Sequence, residues 1–258
     1  MNQMLHTQLF RGPVGVALWP GWNFEEVFKL QNVTAEPTTE EITIPDPTRI
    51  GLPPLDSLTS TSEIVLNGEA VAFNPAAAAI AMYGSVTKVP SGNVVEEEHP
   101  AYIDRTIMLA HIPLEVTAVT ADGVSEPYQR NIDFSVTPGG IRILLGGRLA
   151  EDIAAESALM LPIKVSYSYP TIDLIKPFTV GQKYYRVLLS QINEGGNNER
   201  RRIQCFYCRI ALNGGIPLNQ GAEFGTIPVQ IRLLADPNIT DIGEAAMWQW
   251  EVEDKSAA

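Results

Sequence analysis

STSEIVLNGEAVAFNPAAAAIAMYGS, residues 60–85, is the stretch whose reading decides the fold. Residues 63–66 (EIVL) and 70–73 (AVAF) read as short strands separated by Asn67-Gly68, a dipeptide favoured in tight hairpin turns. Asn74 is suited to cap a helix start, and Pro75 fits a first helical position. A helix over 75–83 follows, with Gly84 placed to close it. Four consecutive alanines let such a helix approach a sheet closely, and with Ile80, Met82 and Tyr83 it is apolar on nearly every face. It is therefore expected to be buried and structural.

Outward from this helix, the chain reads as strand and turn. VGVALW (14–19) is a strand ended by Pro20-Gly21. VFKLQNV (27–33) and EEITIP (40–45) are strands flanking an acidic, Thr-containing turn. DPTRIGLPPLDSLT (46–59) has no hydrophobic period and reads as a long loop. SGNVVEEEHP (91–100) reads as a turn with a solvated charge run. Residues 107–170 hold regularly spaced alternating runs, such as LEVTAVT (114–120) and IKVSYSY (163–169), broken by Asp122-Gly123 and Pro138-Gly139-Gly140. Within that block, 147–160 is a loop or a weak helical turn. KYYRVLLSQ (183–191), 203–211, IPVQIRLL (227–234) and 246–252 complete the strands, with the polar segment 194–202 as a hairpin tip or loop. The fold class is mainly β, with one helix and an antiparallel β unit at 107–170 inserted into a discontinuous domain formed by 1–106 and 171–258.

Composition bounds the function. With 18 basic and 30 acidic residues the net charge is −12, the reverse of what non-specific adhesion to a nucleic-acid backbone requires. No run is apolar enough for a membrane-spanning helix, and MNQMLHTQLFRGPVG lacks the pattern of a secretory signal; synthesis in the cytoplasm is the expectation. Cys205 and Cys208 form one CxxC, without the second ligand pair a zinc site needs, and three positions apart in a regular strand they point to opposite faces. Glu96, Glu97, Glu98 and His99 form an acidic run in which neighbouring carboxylates do not converge on a metal. The double glycines at 139–140, 146–147, 195–196 and 214–215 do not open helices and make no phosphate cradle. His6, His99 and His111 are scattered, and no nucleophile, metalloprotease or nucleotide-binding motif occurs. No enzyme activity, cofactor or metal is expected.

The order of these elements resembles the major tail tube proteins of long-tailed, siphovirus-like bacteriophages. The resemblance lies in VFKLQNVTAEPTTEEITIPD (27–46), in the strand and Asn-Pro/Ala-rich helix ending in Tyr-Gly (61–86), and in YRVLLSQINEGGNNERRRIQCFYCRIAL (185–212) and FGTIPVQIRLLADP (224–237). The 107–170 block is similar to a β unit inserted in some members. The resemblance implies a β-barrel or sandwich flanked by one helix. It also implies six copies per ring and rings stacked into a hollow tube through which the genome passes without specific binding. Implied partners are further copies of the chain and other tail proteins: tape measure, terminator and distal tail. Implied location is the virion tail, after synthesis in a bacterial host. Asp46, Arg49, Leu52, Leu55, Asp56 and Leu58, and Glu199, Arg200, Arg201 and Arg202, are the expected ring or subunit contacts. Glu36, Glu40 and Glu41 are the expected lumen acids. A tail terminator or baseplate ring of the same fold, and a β-sandwich adhesion module that does not self-assemble, are the alternatives.

Overall fold

A computed structural model describes residues 9–50, 54–195, 198–219 and 225–255. Its strands in chain order are β1 (Phe10–Arg11), β2 (Val14–Leu18), β3 (Glu25–Pro45) and β4 (Pro54–Phe73), then helix α1 (Pro75–Ala81) and β5 (Ser85–Val89). There follow β6 (Gly92–Ala101), β7 (Thr106–Met108), β8 (Glu115–Ala121), β9 (Phe134–Thr137), β10 (Gly140–Ile143), helix α2 (Arg148–Ala155) and β11 (Leu161–Tyr169). The last are β12 (Ile172–Lys176), β13 (Tyr185–Asn193), β14 (Arg200–Leu212), β15 (Ile227–Leu234) and β16 (Trp248–Val252). The chain is mainly β, as read from the sequence.

It divides into two compact units, Met1–Val86 with Ile175–Ala258, and Thr87–Leu174. The second is wider than the 107–170 block, because β6 pairs along β11 and so belongs with it. Strands β5 and β12 pair with each other, and the division falls inside both.

In the first unit, β2, β3, β4, β15, β14 and β13 pair in that order, and β13 pairs back to β2, all antiparallel. The sheet thus closes into a six-stranded barrel. Alternate residues point inward and fill it: Val14 and Val16, Phe28, Leu66, Val187 and Leu189, Ile210, Val229 and Ile231 are all buried in one cluster. β1 and β16 lie outside the ring, on β13 and β14 respectively.

Helix α1 packs on β3, β4 and β14 with Ala77, Ala78, Ala79 and Ala81 buried. Asn74 caps it: its Oδ1 accepts the Ala77 N–H at 2.8 Å, and Pro75 opens it. At the other end Tyr83, not Gly84, takes the left-handed conformation, with φ of 49°. Gly84 donates its N–H to the Ala79 carbonyl at 2.7 Å, and a Cβ there would stand 2.6 Å from the Lys176 carbonyl oxygen. Close backbone approach therefore requires this glycine.

The second unit holds two three-stranded sheets, β6-β11-β8 and β7-β10-β9, around a core that includes Ile141, Ile143, Leu149, Ile153, Ile163 and Val165. Of the loop or weak helical turn expected at 147–160, residues 148–155 form helix α2. Its cap comes from a distant residue: buried Asp133 accepts the Leu149 N–H on Oδ1 at 3.2 Å and the Gln129 N–H on Oδ2 at 2.7 Å.

Several local expectations are corrected. Asn67-Gly68 is not a turn; β4 runs straight through it, opposite a bulge in β3 where Asn32 has φ of 53°. The expected turn at 34–39 is likewise interior to β3. The loop at 46–59 is in part strand, since β4 begins at Pro54. The charge run at 91–100 is β6, whose pairing with β11 leaves it no turn. Residues 200–202 open β14 and are not a hairpin tip. Leu52 lies outside the described residues.

Candidate assembly surface

β3 and β4 outrun the barrel. β2 leaves β3 at Phe28, and β15 leaves β4 at Ile64, whereas β3 and β4 stay paired to Pro45↔Pro54. Beyond the barrel the two strands form a bare ribbon of about eight residue pairs, roughly 25 Å long. Such a two-stranded ribbon is marginal in water by itself. Register places Ile42 across from Leu58 and Ile44 across from Asp56, with Glu40 across from Ser60. Ile42, Ile44 and Leu58 therefore share one face, flanked by Glu40 and Asp56, while Leu55 falls on the other. The exposure of Ile42 (60%), Ile44 (57%), Leu55 (62%) and Leu58 (67%) leaves these apolar groups in water.

The ribbon is also acidic without compensation. Glu36, Glu40, Glu41 and Asp56 make no ion pair among the described residues, and no Lys or Arg occurs between Lys29 and Arg49 or between Pro54 and Phe73. The three glutamates expected to face a lumen thus lie on β3 at or beyond its exit from the barrel wall. At the turn, Asp46 accepts from the Thr48 hydroxyl and N–H, which hold its carboxyl below the usual range, and Arg49 pairs with it at 3.3 Å.

Two side chains of the arginine cluster find partners within the chain. Arg202 pairs with Glu251 of β16. Arg201 lies against Phe10 (3.7 Å to the ring centroid) and Trp250 (4.9 Å), and Nε donates to Gln191 Oε1 at 2.8 Å; burial pulls its pKa down. The Arg200 N–H donates to Glu253. Arg201 and Arg202 therefore tie β1, β13, β14 and β16 together.

Two other arrangements in the barrel leave no trace in the sequence pattern. A bulge in β14 pairs Tyr185 with Cys208 but Val187 with Cys205. Both thiols consequently face the core, against the regular-strand expectation, and hydrogen bonding between them, followed by burial, pushes Cys208 well up. On the outer wall, Tyr184 stacks on Tyr207 at 4.3 Å, Trp19 meets Tyr207 edge-on at 5.2 Å, and Arg209 donates to the Tyr184 hydroxyl at 3.2 Å.

In the inserted unit the 96–99 run splits by strand alternation. Glu97 accepts from the Tyr167 hydroxyl (2.6 Å) and the Ala110 N–H (3.0 Å), and its Oε1 is 2.7 Å from His99 Nε2. Burial raises the Glu97 carboxyl, but these hydrogen bonds prevail and hold it below its usual range. Burial and the bond to Glu97 push Tyr167 up to about 12. The described residues contain no group of three or more side chains placed to hold a metal ion, and no helix among them is long and apolar enough to cross a membrane.

Residues 8–246 match a family described as Protein of unknown function UCP028589. The chain belongs to that family. The UCP028589 match spans both units. No curated protein matches the sequence.

Proposed function

We propose that the chain is a structural subunit that self-assembles into rings and stacked rings, as the tail tube protein of a long-tailed bacteriophage does. One observation carries the reading: a closed barrel flanked by a capped helix extends a bare ribbon whose apolar groups face water. Monomeric proteins rarely keep such apolar surface uncovered, and an isolated ribbon gains its stability from what covers it. A second copy supplies that cover. The 27–46, 61–86 and 185–212 segments that resemble tail tube proteins form β3, the end of β4 with α1, and the β13–β14 pair. Six chains at −12 each put a large negative charge on every ring, which suits a conduit that must repel DNA phosphates.

Negative-stain electron microscopy and sedimentation velocity of the purified chain test this. Rings and tubes are expected. A chain that stays monomeric at the highest soluble concentration refutes self-assembly and favours an adhesion module. Rings that never stack favour a terminator or baseplate ring.

A further inference from the structure

The outer wall of the barrel carries a cation without an acid. On β14, Arg209 lies between the core residues Cys208 and Ile210 and so faces outward. Its only polar partner among the described residues is the Tyr184 hydroxyl, and its Nε is buried without a hydrogen bond. Directly opposite on β15 stands Arg232, and like charges across a strand pair are unfavourable. The acids nearby are engaged: Glu63 pairs with Arg232, and Asp236 with Arg186. Beside Arg209 lie the stacked rings of Tyr184 and Tyr207 with Trp19, a composition of Arg, Tyr and Trp enriched at interface hot spots.

We propose that the apolar face of the ribbon in one copy, Ile42 and Leu58 flanked by Glu40 and Asp56, seats on the Arg209–Tyr184–Tyr207 patch of a second copy. This rests on the self-assembly proposed above and assigns its contact. Each side holds what the other lacks: the ribbon has acids without cations beside exposed aliphatic groups, and the patch has an unpaired guanidinium beside aromatic rings. The acids relieve the Arg209–Arg232 repulsion, and Ile42 and Leu58 cover the rings.

The test is a charge swap read by sedimentation velocity and negative stain near physiological salt. Arg209→Glu alone and the pair Glu40→Lys/Asp56→Lys alone should each weaken association at least about tenfold, and the three together should restore most of it. Arg209→Glu places a carboxylate opposite Arg232, so its melt should match wild type. If it does not, Arg209→Gln supplies the same comparison. Assembly by Arg209→Glu (or by a folded Arg209→Gln) at wild-type strength, or a triple variant no better than its parents, overturns the seat while leaving self-assembly intact. A wild-type chain that never associates overturns both.

Discussion

Replacing Asp236 with alanine should destabilise the barrel unit by about 3–5 kcal/mol, the usual cost of breaking a buried ion pair from one side. Asp236 and Arg186 are both buried, and Oδ2 lies 3.3 Å from the Arg186 guanidinium. The same oxygen accepts the Trp19 indole N–H at 3.2 Å, and Oδ1 accepts the Asn238 N–H at 3.0 Å. Arg186 also donates to the Phe206 and Pro20 carbonyls and lies 3.7 Å from the Trp22 ring centroid. Alanine removes the counter-charge and orphans an indole N–H, while those carbonyls keep the cation in place and desolvated. At about 2–4 °C per kcal/mol the melt should fall by roughly 6–20 °C. The assay is selective, because all four tryptophans, at 19, 22, 248 and 250, belong to the barrel unit. Tryptophan fluorescence therefore reports that unit alone. Arg186→Met combined with Asp236→Leu, which removes both charges, should recover most of the loss. A single Asp236→Ala change costing under about 1 kcal/mol would refute the assignment of this pair as the clamp holding residues 19–22 and 236–238 to β13.

Three further outcomes are expected. Ile80→Asp should unfold the barrel unit, since it sets an unpaired carboxylate against the core under α1; a folded monomer that fails to assemble would instead make the helix an interface. Replacing residues 40–60 by an Asn-Gly turn removes ribbon but no barrel pairing with β2 or β15, so tryptophan melting should stay within about 1 kcal/mol of wild type while tubes are lost; tubes that persist would exclude the ribbon as the contact. In the inserted unit, Glu97 binds its proton less readily folded than unfolded. Its contribution is thus present above the unfolded pKa of about 4.3 and is lost as pH falls through the lower folded value. Glu97→Gln should flatten the acid limb of that unit's stability, followed by far-UV circular dichroism between pH 7 and 3, and an unchanged slope would discard the network.

The sequence made legible what local chemistry decides. Asn74 and Pro75 mark a helix start wherever they stand together, and the alternation in LEVTAVT and IPVQIRLL marks strands. It misled where a distant partner decides. Asn67-Gly68 favours a turn, yet across the β3 bulge a Cβ at Gly68 would come 3.2 Å from the Val33 side chain. The glycine is there for a neighbour's approach, and pairing with β3 and β15 holds the strand straight. Helix α2 shows in the sequence only as a loop or weak helical turn, because Gly147 offers no side-chain cap and Asp133, upstream, supplies one. The Cys205–Cys208 spacing misled for the same reason: a bulge is a property of the pair of strands, not of either alone. Among the expected contact residues, Leu55 and Leu58 are apolar groups in a proline-containing segment, but their membership of a ribbon depends on register with β3.

That register also bears on what form an assembly takes. The patch and the ribbon face are different surfaces of one chain, so a ring forms when the seat is heterologous, each copy offering a ribbon to one neighbour and a patch to another, whereas a reciprocal exchange between two copies would stop at a dimer. A heterologous contact closes into a ring when its rotation divides a full turn and otherwise runs on as a filament. The patch lies near the ribbon's own root, because Arg232 pairs with Glu63 where β4 parts from β15. A ribbon seated there brings its acids beside the emerging ribbon of the copy that receives it, itself acidic and without cations. Such crowding of like charge must be offset by Arg209 and by the apolar contact, and salt acts on the two in opposite senses. Moderate salt screens the ribbon–ribbon repulsion but also weakens the Arg209 pairing. If the seat is correct, removing two other acids of β3 (Glu36→Gln with Glu41→Gln) while keeping Glu40 and Asp56 should make the chain assemble more readily than wild type at low salt, with the difference vanishing as salt rises. Equal assembly at every salt concentration would place Glu36 and Glu41 away from the acids of the neighbouring ribbon.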